Sequence, residues 1–102
     1  MIKHVDVLDW EQHIKINDIR LLKISYSKSK DPLMYFIELH VYTFSDTVFH
    51  LQSEVNLRKD TDMIRLLNLL CLHAVRIQDP YNIKDHYAQS PQHFQDYLQQ
   101  LN

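Results

Sequence analysis

The chain contains no glycine, and that absence says more than any motif in its 102 residues. Phosphate-cradling loops, dinucleotide fingerprints and nucleophile elbows use glycine where backbone must approach a ligand or take positive φ. Those enzyme families are excluded. Tight turns must instead be made by Asn, Asp or Pro, which tolerate or preset turn dihedrals, and the segments "IND", "FSDT" and "DPYN" are the places for them. Cysteine is almost as scarce. A single residue, Cys71, excludes an internal disulfide framework and has no second thiol with which to form a metal pair, so a buried core thiol is expected. The opening "MIKHVDVLDW" is too short of apolar residues for a signal peptide, and no later stretch approaches the ~18 uninterrupted apolar residues of a membrane span. A cytoplasmic protein that makes no use of membranes is the expectation. Charge of one sign is lacking too: 11 Lys and Arg stand against 13 Asp and Glu, a formal −2. That balance provides no long-range field toward phosphate and disfavours nucleic acid as a partner.

What is present is globular. Hydrophobic residues make up 45% and charged residues 24%, proportions found in packed domains rather than disordered chains. The length suits one compact domain over residues 1–102, burying roughly 60 to 65% of its unfolded surface. Near the N-terminus, Val7, Trp10 and Ile14 have helical spacing, and a short helix is expected near 6–13. From Ile19 to Ser27, "IRLLKISYS" puts Leu22, Ile24 and Tyr26 on one side and Lys23, Ser25 and Ser27 on the other, the period-2 pattern of a half-buried strand. "KSKDP" breaks it. In "LMYFIELHVYTF", Tyr35, Ile37, Leu39, Val41 and Thr43 alternate against Phe36, Glu38, His40 and Tyr42. In "VFHLQSEVNL", Phe49, Leu51, Val55 and Leu57 alternate against His50, Gln52, Glu54 and Asn56. These two strands read as an antiparallel hairpin. Matching their apolar faces sets Thr43 opposite Phe49, Val41 opposite Leu51 and Ile37 opposite Val55, which brings Glu38 directly across from Glu54.

A long helix is expected over about 60–78, capped by Asp60 or Thr61 and closed by "DPYN". Spaced 100° apart, Met63, Leu66, Leu67, Leu70, Cys71, Ala74 and Ile77 with Ile64 and Val75 fill about half its circumference. Leu69 and Leu72 fall instead among Arg65, Asn68, His73 and Arg76. Either the C-terminal helix folds back over those leucines, or Arg65, Leu69, Leu72 and Arg76 form a self-association surface and the chain is a homodimer. That last helix is expected over about 91–101, with Ser90 as cap, Pro91 in the first turn and an apolar stripe of Phe94, Tyr97, Leu98 and Leu101. The architecture expected is therefore α+β: a small antiparallel sheet of about three strands packed against the long helix and the short C-terminal helix.

Seven histidines are many for this length, but His4, His13, His73, His86 and His93 form no HxH, HxxxH or HExxH pattern, and no metal site is assigned. The hairpin's outer face is richer. It gathers Phe36, Glu38, His40, Tyr42, His50, Gln52 and Glu54, and its large aromatics call either for cover by the N-terminal segment with Trp10 or for a protein partner. No serine–histidine–acid arrangement has a supporting context, so no catalytic residue is assigned and no cofactor is expected. Two functions follow as expectations. The first is a small cytosolic non-enzymatic binding protein that inhibits or neutralises another macromolecule, of the immunity-protein or anti-defence-inhibitor type, using that aromatic and acidic face. The alternative is a small metal-dependent or acid/base hydrolase built on His40, His50, Glu38 and Glu54.

Overall fold

Alternation of apolar and polar side chains builds the centre of the molecule, and pairing at its margins completes it. The computed structural model describes residues 1–30, 34–55 and 61–101. Its strands are β1 (Ile2–His4), β2 (Ile19–Lys28), β3 (Tyr35–Thr43), β4 (Val48–Val55) and β5 (Arg76–Gln78). Its helices are α1 (Thr61–His73), α2 (Ile83–Tyr87) and α3 (Pro91–Gln100), with 3₁₀ turns at Val7–Gln12 and Ile16–Asp18. Among the described residues the strands form one sheet in the order β1-β4-β3-β2-β5. β3 runs antiparallel to β2 and β4, while β1 pairs parallel with β4 and β5 parallel with β2.

The α+β class is as expected, but the sheet is mixed and has five strands instead of three. The two added strands are three residues each, too short to show a period, and each joins an edge that lies far away in sequence. The long helix is shortened for the same reason. It stops at His73, the Ala74 N–H still donates to Leu70 O at 2.9 Å, and the Val75 N–H then turns to Ile19 O at 3.3 Å. Residues 76–78 thus leave the expected helix and pair with Leu21, Leu22 and Lys23. β-branched Val75 and Ile77 suit an extended edge as well as a helix, and the free edge of β2 decides between them. Asp60, one of the two expected caps, and the strand positions Asn56 and Leu57 lie outside the described residues.

The hairpin forms with a different register. Tyr35 pairs with Val55, Leu39 with Leu51, His40 with His50 and Val41 with Phe49, so each residue of β3 meets a partner two positions earlier than expected. Its loop is the cause. The Thr43 N–H donates to Thr47 O at 3.1 Å, the Thr47 N–H donates back to Thr43 Oγ1 at 3.0 Å, and Asp46 takes φ 66°. This is a three-residue connection whose last residue is left-handed; without glycine, Asp fills that position. A shift of two leaves each side chain on its expected face. It does remove the Glu38–Glu54 contact: Glu38 faces Gln52, and Glu54 faces Phe36. The "DPYN" turn works likewise, with Asn82 at φ 54° and both Asp79 carboxylate oxygens accepting the N–H groups of Ile83 and Lys84.

One face of the sheet carries the core. Leu22, Ile24, Tyr35, Ile37, Leu39, Val41, Phe49, Leu51 and Val55 are buried in a cluster with Met63, Leu66, Leu67, Leu70 and Cys71 of α1, Ile83 and Tyr87 of α2, and Phe94 and Leu98 of α3. The C-terminal helix starts as expected, the Ser90 hydroxyl accepting the His93 N–H at 3.1 Å. Its tail does not cover the disputed leucines. Leu69 lies beside Trp10, Ile14 and Ile16 of the N-terminal segment, and Leu72 stays 77% exposed. The short N-terminal helix appears as the 3₁₀ turn Val7–Gln12, started by Asp6, whose carboxylate accepts the Leu8 N–H at 3.0 Å. Val7 and Trp10 pack against the core cluster. The N-terminal turn therefore serves the helical side of the sheet, and the helices of all three α segments bury themselves on that side.

Candidate functional site

The strands that bury one face hold the other half-exposed, and β2, β3 and β4 arrange its polar groups around Glu38. In β3, Tyr35, Ile37, Leu39, Val41 and Thr43 are buried while Phe36, Glu38, His40 and Tyr42 are half-buried. Glu38 Oε1 accepts the Ser27 hydroxyl at 2.7 Å and the Gln52 amide at 3.0 Å. Its other oxygen, Oε2, meets His50 Nε2. A carboxylate pins that imidazole nitrogen as a donor. His50 Nδ1 then lies 2.8 Å from Nδ1 of His4, which the parallel pairing of β1 brings alongside β4. The result is a chain of contacts from Ser27 on β2 through Glu38 and His50 to His4 on β1, crossing four strands.

His40 stands beside this chain. Its ring stacks on that of His50 with centroids 4.6 Å apart and planes 25° from parallel. Burial, reinforced by His50 and to a lesser degree by Lys23 and His4, holds the His40 pKa below its ordinary value, against the opposing pull of Glu38. A proton on His40 is therefore less favourable than on an exposed histidine. The Lys23 ammonium sits 5.0 Å from the centre of the Tyr42 ring, a distance at which the ring's quadrupole attracts it.

Of the seven residues expected to form this face, the structure joins Glu38, His50 and Gln52 by hydrogen bonds, and His40 to them by stacking. Phe36, Tyr42 and Glu54 share the face without entering that network; Glu54 is exposed. His4 and Ser27 are members that sequence reasoning missed. Ser27 had a signal, since it stands on the polar side of the β2 alternation and, once register is known, lies opposite Phe36 and next to Glu38. His4 had none, because β1 is too short to read. The other expected surface is broken up. Arg65 and Leu72 are both exposed on α1, about two turns apart, but Leu69 is half-buried and lines a cleft with the N-terminal segment, and Arg76 lies in β5.

Chemically, the network fixes rotamers and orients imidazoles. His50 has both nitrogens committed, Nε2 to Glu38 and Nδ1 to His4, and the His40 ring is stacked on it. Among the described residues, no group of three or more His, Cys, Asp or Glu side chains is arranged to hold a metal ion. An open cleft of about 360 Å³ borders the chain, lined by His4, Val5, Asp6, His50 and Gln52. A larger one of about 500 Å³, between Lys15, Asp18 and Ser45, holds none of the expected site residues. At the other end of the molecule a second histidine pair forms: His86 Nδ1 lies 2.9 Å from His93 Nε2, with His86 stacked on Tyr97. Among the described residues no helix is long and apolar enough to cross a membrane. Comparison of the chain with protein-family models, with curated proteins and with solved structures gives no match.

Proposed function

We propose that the protein is a small non-enzymatic binding protein that inhibits or neutralises another macromolecule, in the manner of an immunity protein or anti-defence inhibitor, and that its open sheet face meets a protein partner. The observation that carries this reading is the hydrogen-bonded order of that face. Ser27, Gln52 and His50 hold Glu38 in place, so these side chains have little rotamer freedom left to lose on docking. Phe36 and Tyr42 flank them half-buried and supply the aromatic anchors that carry most binding energy in protein interfaces. Exposed Glu54 on the same face complements a basic target surface.

The test is direct. The tagged chain is used to capture its partner from native lysate, and the affinity of the purified partner is then measured against Glu54→Lys and Phe36→Ala. Glu54 is exposed, so its reversal should leave folding intact and weaken binding of a basic partner at least about tenfold. Equal affinity in both variants would remove this face from the interface.

The hydrolase alternative rests on one observation, the Glu38–His50–His4 chain beside an open cleft. In that reading Glu38 orients His50, and His4 at the cleft edge exchanges protons with substrate. It requires hydrolytic activity that His4→Ala and His50→Ala both abolish in folded protein.

A further inference from the structure

The His4–His50 contact limits how many protons the open face can hold. His50 Nε2 meets the Glu38 carboxylate, which can only accept, so that nitrogen carries a hydrogen in every state that preserves the contact. The remaining nitrogen, Nδ1, lies 2.8 Å from His4 Nδ1. A hydrogen bond between two ring nitrogens needs one protonated and one bare. With both rings neutral, His4 donates from Nδ1 and His50 accepts. With one extra proton, one ring is an imidazolium that donates to the other, and the bond survives. A second extra proton places a hydrogen on each of the two facing nitrogens, and the bond is replaced by repulsion between two cations.

This contact ties a side chain of β1 to the neighbouring strand β4. All three residues of β1 are exposed. Its backbone ties include the Val48 N–H donating to Met1 O at 3.2 Å, and the Val5 N–H, just beyond the strand, donating to His50 O at 2.9 Å. The next residue, Val5, is buried in the core cluster, but the three-residue edge strand has few bonds of its own to resist fraying.

We infer that the His4–His50 pair is a proton-operated latch: β1 stays docked on β4 while the pair holds at most one extra proton, and is released when it takes the second. The groups around the pair favour that sequence. Glu38 faces His50 on β3, and Asp6 shares the cleft with His4, though its carboxylate already accepts the Leu8 N–H. Against these two carboxylates stand His40, stacked on His50, and Lys23 over Tyr42. One added proton can be shared between the two facing nitrogens, 2.8 Å apart; a second puts like charges at that distance. Burial and the neighbouring His50 disfavour a proton on His40. Release bares the backbone of residues 48–50 at the edge of β4, where a strand from elsewhere could pair.

Native-state amide exchange followed by NMR reads the latch, with rates expressed as protection factors so that the intrinsic pH dependence of exchange cancels. Between about pH 7.5 and about pH 5, the Val5 and Val48 amides are expected to lose about tenfold or more of their protection. Leu39 and Val41, in the central strand, should keep theirs. His4→Asn is the decisive variant. Its side-chain amide can turn either oxygen or NH₂ toward His50, so the second proton no longer breaks the contact, and Val5 and Val48 should stay protected at the lower pH. His4→Ala should lack that protection at both. Wild-type protection at Val5 and Val48 that does not change with pH would overturn the inference. So would a His4→Asn variant that opens with the wild-type pH dependence, or a loss shared equally by Leu39 and Val41.

Discussion

Removing the Glu38 side chain should cost far more than its place on an outer sheet face suggests. Three donors converge on its carboxylate: the Ser27 hydroxyl, the Gln52 amide and His50 Nε2. Its side chain is 14% exposed and that of His50 16%, so water replaces these bonds only in part. Hydrogen bonds to charged groups contribute about 1.5 to 3 kcal/mol each when well shielded and neutral ones about 0.5 to 1.5. With partial rehydration of three stranded donors, Glu38→Ala should lose about 2 to 3 kcal/mol, a Tm lowered by roughly 10 °C or more in a domain of this size. Glu38→Gln offers a sharper comparison. Its amide oxygen can keep the bonds from Ser27 and Gln52, while its NH₂ faces His50 Nε2 and forces the proton of that ring onto Nδ1. The fold should survive with about 1 kcal/mol lost, and the ¹⁵N shifts of the His50 ring should report the changed tautomer. Urea denaturation near neutral pH measures both energies. A Glu38→Ala protein within about 0.3 kcal/mol of wild type would refute the view that this face is held by its own hydrogen bonds.

Other expectations follow from the same structure. Leu70→Ala, at a fully buried position of α1, should cost about 2 to 5 kcal/mol by thermal or urea unfolding. Leu69→Glu should destabilise by about 1 to 3 kcal/mol because Leu69 is half-buried and lines an apolar cleft with Trp10 and Ile14, whereas Leu72→Glu, 77% exposed, should leave the Tm nearly unchanged. The His40 pKa is depressed in the folded state from its ordinary 6.5, so the folded protein binds fewer protons there than the unfolded chain. Stability from this group is therefore complete above about 6.5 and declines as pH falls below it; His40→Gln should flatten that part of the stability profile. Burial raises the Cys71 thiol above its ordinary value, and a disulfide-exchange reagent near neutral pH should modify it only at the rate of unfolding.

Much of the centre of the fold was legible because its strands are long and one-sided. Ten residues of β2 and nine of β3 repeat the alternation often enough to separate the two faces, and all seven expected site residues therefore stand on the correct face. Register was not legible to the residue. Nothing in "FSDT" distinguishes a three-residue loop with a left-handed Asp46 from a longer one, and the difference moved Glu54 from Glu38 to Phe36. The short edge strands were hidden for another reason. "AVRIQ" continues the helical spacing of α1, and only the unpaired edge of β2, a tertiary feature, draws it into extended backbone. The same applies at β1, so the sequence gives no sign that His4 would complete the site. The lack of glycine, by contrast, led to the right turns, since Asp46 and Asn82 are the two positive-φ residues among those described.

We propose the open face, and not the exposed end of α1, as the surface that receives the partner. Side-by-side affinities of the captured partner for Phe36→Ala and Leu72→Glu test it most directly. The expected result is a loss of at least about tenfold for Phe36→Ala, with wild-type affinity for Leu72→Glu. The reverse pattern, binding abolished by Leu72→Glu and unaffected by Phe36→Ala, would contradict it and place the interface on the helical side of the sheet.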